Sequence, residues 1–172
     1  VNYAAGVPTV WLSFLAHLDE TGQRPKHLER LFVGGSAMAR ATMRRFEAEL
    51  GVSILHGWGM TEIGPVANSA RIKDKHAALP LEQQLDWKST QGRAIYGVEM
   101  RVIDDAGNEL PRNGETPGHI QVRGPWVTMR YFPGDGEIVN DADGWFDTAD
   151  IGTLDIDGYL RLTDRDKDLI KS

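Results

Sequence analysis

Apolar positions in the first third of the chain fall into stripes at helical spacing and short continuous runs. Trp11, Leu12, Leu15 and Leu18 form a stripe at helical spacing, with Pro8 at its entrance and Gly22 past its end. Leu28 to Val33 is a short apolar run stopped by Gly34-Gly35, which reads as a buried strand. Ser36 then stands as the N-cap of a helix over Ala37–Leu50, with Met38, Ala41, Met43, Phe46 and Leu50 among its apolar positions and Gly51 just after it. Val52 to His56 is a second short strand, running into Gly57-Trp-Gly-Met-Thr-Glu62. Alternating helices and strands of this kind predict a parallel sheet covered by helices.

The pattern changes after residue 95. Residues 64–95 read mostly as loop, with one polar helical stretch near Leu79–Trp87. Val98 to Ile103 then alternates with period two, followed by a turn at Asp105-Ala-Gly-Asn108. Gly118–Arg123 is another strand. Ile151–Asp155 and Tyr159–Thr163 flank a hairpin turn ending in Asp157-Gly158. The expected fold class is therefore α/β: a parallel sheet with helices over residues 1–95, then a β-rich subdomain, a distorted barrel or small sandwich, over 96–163.

Composition narrows the function classes. The 172 residues contain no cysteine, which excludes disulfide scaffolds, Cys-ligated zinc, iron–sulfur clusters and a cysteine nucleophile. There is no run of about 18 apolar residues, so no membrane-spanning helix is expected. A net charge of −6 argues against a nucleic-acid module. Residues 1–70 are balanced, so the negative charge falls wholly in the second part. The chain begins at Val1 and ends at Lys171-Ser172. That is read as an internal piece of a longer protein, with a cytoplasmic location at most peripheral to a membrane. Oligomeric state is not legible.

Several chemical templates fail. There is no G-x-x-x-x-G-K-[ST] phosphate loop, and Gly34-Gly-Ser36-Ala-Met38 lacks the last glycine of a nucleophile elbow. His17, His27, His56, His76 and His119 are scattered without metal-ligand spacing. Asp141-Ala-Asp143-Gly144 and Asp155-Ile-Asp157-Gly158 superficially resemble calcium loops. The oxygen ligand and glycine expected next are Trp145 and Phe146 in one, Tyr159 and Leu160 in the other. They read better as solvated turns. Three segments carry more chemistry. Gly57-Trp-Gly-Met-Thr-Glu62 puts a flat ring, a hydroxyl and a hard carboxylate within a few residues, suited to a base, a phosphate and Mg²⁺. Gly144-Trp-Phe-Asp-Thr-Ala-Asp150 ends in a carboxylate able to accept from a ribose diol. Thr163 to Ser172 alternates acids and bases, a solvated strand or charged hinge.

Together and in order, these segments resemble the adenylate-forming enzymes: acyl-CoA synthetases, luciferases and nonribosomal adenylation domains. Gly57-Trp-Gly-Met-Thr-Glu62 is similar to the family's Y-G-x-T-E motif, with Trp58 for Tyr. Gly144 to Asp150 is similar to G-W-x-x-T-G-D, with Ala149 for Gly. Asp164-Arg-Asp-Lys-Asp-Leu-Ile-Lys-Ser172 is similar to D-R-x-K-D-L-I-K-S. Val33-Gly-Gly-Ser36 matches the glycine-rich turn, and Gly6-Val-Pro-Thr-Val10 the start of an acyl-pocket helix. The form of the first motif is most similar to medium- and long-chain fatty-acyl-CoA synthetases.

The resemblance implies a two-step ligase. A carboxylic acid, most readily a fatty acid, attacks the α-phosphate of Mg·ATP, and CoA then takes the acyl group from the adenylate. On that basis Trp58 and Gly59 lie at adenine beside the backbone of Gly34, Gly35 and Ser36. Thr61 holds phosphate, Glu62 binds Mg²⁺, Asp150 accepts from the ribose, and Arg165 reaches the ribose or α-phosphate. Lys167 is the hinge, within 164–172, about which a C-terminal domain turns. The family's phosphate-loop lysine and acylation lysine belong outside these 172 residues, so the piece alone is expected to be incompetent. Ala149 is tolerable at negative φ and disruptive at positive φ. Other adenylate-formers, an aryl-CoA ligase or a carrier-loading adenylation domain, stay open. So does a non-catalytic cation- or partner-binding module.

Overall fold

The computed structural model describes residues 1–131 and 138–165, with side chains through Thr163. The chain forms two compact units: Val1–Trp58 with Ser69–Gly92, and Gly59–Asn68 with Arg93–Ser172. Two short strands, β4 (Asn68–Ser69) and β5 (Gly92–Ala94), carry two of the three points where the chain passes between units.

In the first unit, β1 (Tyr3–Gly6), β2 (Arg30–Val33) and β3 (Ser53–Trp58) run parallel. Ala5 pairs with Phe32 and Phe32 with Leu55. Strand β1 was not evident from the sequence, because Tyr3-Ala-Ala-Gly has neither an apolar run nor alternation. Helix α1 (Pro8–Thr21) starts at Pro8, which loses no helical hydrogen bond there. It ends where Gly22 turns left-handed at φ 68 and its N–H reaches the Leu18 carbonyl. Trp11, Leu15 and Leu18 of the expected stripe are its buried face, whereas Leu12 lies beside them in sequence but is 52% exposed. Trp11 and Leu15 meet Leu31, Val33, Met43, Phe46, Ile54 and Leu85 in one apolar core. Trp11, Phe14 and Phe46 add edge-on and stacked ring pairs at 6.3–6.4 Å.

The helix expected over Ala37–Leu50 is shorter and split. Residues after Ser36 stay extended and α2 covers only Arg40–Arg44, with Ala39 rather than Ser36 at its start. Extension lets Met38 drop into the core. The next turn, Arg45–Glu49, is a π-turn. It keeps Phe46 fully buried while Glu47 accepts from the Ile54 N–H at 2.8 Å and from Lys88 at 2.5 Å. The polar stretch near Leu79–Trp87 is α4 (Leu81–Lys88), preceded by the one-turn α3 (Asp74–Ala77).

The second unit holds an antiparallel meander: β6 (Glu99–Ile103), β7 (Gly118–Arg123), β8 (Phe146–Leu154) and β9 (Tyr159–Arg165). Met100 faces Val122 and Val102 faces Ile120 across the first pair. Strand β8 is longer than its sequence pattern suggests, so the Gly144–Asp150 motif runs into a strand instead of staying in a loop. The register shifts once on β7 near His119 and once on β8 near Ile151.

Three Asp-Gly turns share one construction. Asp104, Asp141 and Asp155 each use Oδ1 to accept two backbone N–H groups, two and four residues on. The glycine three residues on is left-handed in every case, at φ 81 to 87. Their carboxylates serve the backbone, in keeping with turns and not calcium loops. No cluster of three metal-ligating side chains occurs among the described residues.

Candidate nucleotide site

Gly34, Gly35, Ser36 and Trp58 belong to the first unit; Gly59, Thr61, Glu62, Asp150 and Arg165 belong to the second. In the first unit the glycine turn follows directly from β2. Gly35 sits at φ 82, a conformation that disfavours any side chain. A side chain at Gly34 would make ordinary contacts with the Phe32 ring at 3.4 Å and the Gly57 carbonyl oxygen at 3.8 Å, so its lack of one leaves backbone open without being sterically required.

The Ser36 carbonyl lies 3.3 Å from His56 Nε2, and the Thr90 carbonyl lies 3.0 Å from His56 Nδ1. His56, 2% exposed on β3, thus stands between the glycine turn and the segment before β5. A neutral imidazole donates through one nitrogen only, so it can satisfy one carbonyl at a time. Its proximity to the Gly-Trp-Gly motif was the only signal in the sequence; otherwise it looked like one more scattered histidine. Trp58 ends β3 and is 8% exposed, so little of its indole is open.

In the second unit, Gly59 has no room for a side chain: a Cβ would lie 2.0 Å from the Pro65 carbonyl oxygen. That contact folds residues 59–62 back on 65–67. Thr61–Ile63 makes one tight turn, closed by the Gly64 N–H on the Thr61 carbonyl, with Ile63 buried beneath. Thr61 is exposed and Glu62 is half-buried. Glu62 is held twice by one segment. Its main-chain carbonyl accepts from the Thr128 N–H at 2.7 Å, and its Oε1 accepts from the Tyr131 hydroxyl at 3.1 Å. Partial burial, then the hydrogen bond to the Glu62 carboxylate, raises the Tyr131 phenol above its ordinary pKa. Nothing in the sequence pattern singled out Tyr131, because the pairing spans 69 positions.

Asp150 is 3% exposed on β8, opposite Arg165 of β9. Its N–H donates to the Thr148 hydroxyl, which itself donates to the Ile120 carbonyl. Ala149, just before it, has φ 55 and is the only non-glycine at positive φ among the described residues. Of the two conformations considered for that substitution, the positive-φ one is realised. The Arg165 side chain and Lys167 lie outside what the structure describes.

Glu62 is a single hard carboxylate rather than part of a cage. Mg²⁺ takes one or two carboxylates and completes its octahedron with phosphate and water oxygens. The residues present fit a metal that arrives with a nucleotide.

The parallel α/β unit carries the glycine turn and Trp58, and the antiparallel unit carries the Gly59–Glu62 turn and the buried strand aspartate Asp150. Residues 1–132 match the family described as AMP-binding enzyme, and the chain belongs to that family. It is 43% identical to a 3-methylmercaptopropionyl-CoA ligase of Ruegeria lacuscaerulensis over 173 residues, covering 100% of this chain and 32% of that protein. It is 40% identical to a medium-chain-fatty-acid–CoA ligase of Ectopseudomonas oleovorans, covering 100% and 31%. A Thermus thermophilus long-chain-fatty-acid–CoA ligase is 43% identical, covering 100% and 32%. Among solved structures, the o-succinylbenzoate coenzyme A synthetase of Bacillus subtilis in complex with ATP and magnesium ion is similar with a TM-score of 0.77. It is 27% identical, with 100% of this chain and 33% of that one covered. The chain thus spans about a third of the length of these relatives. No helix among the described residues is long and apolar enough to cross a membrane.

Proposed function

We propose that the chain is the nucleotide-binding part of an AMP-forming acid–CoA ligase acting on an aliphatic, most readily fatty, acid. The observation that carries this is the agreement of the ordered motifs with 40–43% identity to CoA ligases across the whole chain. Relatives named for fatty and short thioether acids favour an aliphatic substrate over an aryl one. On this reading residues 1–95 are the α/β part, 96–163 the β-rich subdomain and 164–172 the hinge.

A free carboxylate is a poor acyl electrophile, which is why the reaction goes through an adenylate. The acid's oxygen attacks the α-phosphorus of ATP, and pyrophosphate leaves with the P–O bond electrons. The CoA thiolate then attacks the acyl carbonyl, and AMP leaves. The first step depends on positioning and charge neutralisation. The Gly34-Gly35-Ser36 backbone and the open margin of Trp58, with Gly59 beside it, would receive adenine. Thr61 would donate to a phosphate oxygen. Glu62 would hold Mg²⁺, which neutralises phosphate charge. Asp150 would accept from both ribose hydroxyls, using an oxygen for each, with Arg165 at the ribose or α-phosphate. Lys167 would mark the hinge.

The test is acid-dependent pyrophosphate release by the intact protein, across a panel of fatty, thioether and aromatic acids with CoA present. Acyl-CoA formation with an aliphatic acid is expected. Asp150→Asn, which has one acceptor oxygen instead of two, should lower kcat/KM for ATP by about 10- to 100-fold. Pyrophosphate release with no acid in the panel would overturn the proposal.

A further inference from the structure

The arm at residues 128–131 grips Glu62 from two directions. The Thr128 N–H fixes its main chain, while the Tyr131 hydroxyl, 3.1 Å from Oε1, fixes its carboxylate. The arm is itself tied down: Arg130 bridges to Ile138, and the Val139 N–H donates to the Met129 carbonyl. We propose that Tyr131 is a positioning residue that orients the Glu62 carboxylate for the divalent cation carried by the nucleotide. This rests on the reading of Glu62 as the Mg²⁺ ligand.

The physical argument concerns the two carboxylate oxygens. An unrestrained glutamate rotates freely at its outer torsion, so either or both oxygens could face a cation. A phenol donating to Oε1 uses one of that oxygen's two lone pairs and holds the plane of the carboxylate. Oε2 is then presented as a single ligand, which suits the strict octahedron of Mg²⁺ better than the larger and more permissive Ca²⁺ shell. Partners that orient a metal ligand in this way typically change metal affinity when removed. Tyr131 touches neither metal nor nucleotide in this scheme. Tyr131 is 51% exposed, so exchanging it for Phe keeps the ring and removes no core contact.

The experiment is calorimetric titration of the intact protein with ATP, once in Mg²⁺ and once in EDTA, for wild type, Tyr131→Phe, Glu62→Gln and the double variant. Tyr131→Phe should weaken binding of ATP about tenfold in Mg²⁺ and leave binding in EDTA unchanged. The double variant should bind no more weakly than Glu62→Gln. Equal weakening of Tyr131→Phe with and without Mg²⁺ would make the residue merely structural and overturn the proposal. So would a Tyr131→Phe variant with wild-type Mg²⁺ dependence while Glu62→Gln loses it. If Glu62→Gln itself keeps full Mg²⁺ dependence, the ligand reading of Glu62 fails, and the positioning role fails with it.

Discussion

Ala149 shows how much one methyl group can matter. Its φ of 55 is forced by the turn between Asp147, whose Oδ1 accepts the Ala149 N–H, and buried Asp150. An L residue in that region costs roughly 1–2 kcal/mol, and the greater freedom of glycine in the unfolded chain takes back about 0.4–1. Ala149→Gly is therefore expected to raise stability by up to about 1.6 kcal/mol, visible as a higher urea midpoint of the intact protein. Gly59 is the opposite case. A methyl there would lie 2.0 Å from the Pro65 oxygen, so backbone must move. Gly59→Ala should cost about 3 kcal/mol or more, whereas Gly107→Ala, at φ 85 with nothing within 4 Å, should cost only about 1–2. If the two urea midpoints fall equally, the close approach at Gly59 is not what constrains that turn. The sequence marked Gly59 as part of a motif and could not say that its reason is steric.

Individual elements were legible where local chemistry acts alone. Helix α1, its apolar stripe and the left-handed Gly22 follow from spacing and capping. The Ser36 cap did not form, because burial of Met38 and the contact of the Ser36 carbonyl with His56 draw those residues into an extended path. The π-turn was equally invisible: it exists to bring Phe46 into the core and Glu47 to Lys88 and Ile54, positions 41 and 7 residues away. The Lys88–Glu47 pair has side chains only 9% and 11% exposed. Lys88→Met leaves a buried carboxylate without its cation and should cost about 3–5 kcal/mol, measured by denaturant unfolding. The Asp19–Arg45 pair, which ties α1 to the π-turn at 2.7 Å, is solvent-exposed and screened. The hydrogen bond from Arg45 holds Asp19 below its ordinary pKa of 3.8. A depressed folded-state pKa contributes stability above the unfolded value and loses it as pH falls through the folded one. Asp19→Asn should therefore lower Tm slightly at neutral pH, and the difference should shrink as pH falls into the acid range below 3.8. A Tm difference that persists there would assign the effect to packing.

At the scale of the molecule, the change of period near residue 95 anticipated a parallel part followed by an antiparallel one. It did not anticipate that Gly59–Asn68, Thr61 and Glu62 included, groups with the later strands. The proposed ligase reaction also implies that length is limiting. The 172 residues cover about a third of the relatives and contain neither lysine that the family resemblance assigns to phosphate binding and acylation. Expressed alone, they should give no acid-dependent pyrophosphate release, and turnover by them would contradict the assignment of those steps to other parts.

What the sequence by itself determined is local and ordered: helix stripes, Asp-Gly turns, and motifs whose order along the chain carries the family resemblance. Hydrophobic period and turn chemistry act between neighbours, so they survive in one dimension. Only the tertiary structure decided which residues support those motifs. His56 set between Ser36 and Thr90, Tyr131 on Glu62, and the strain at Ala149 all arise from packing and pairing between distant segments. Such contacts form only when burial of apolar surface brings the segments together, and no spacing in the chain records them.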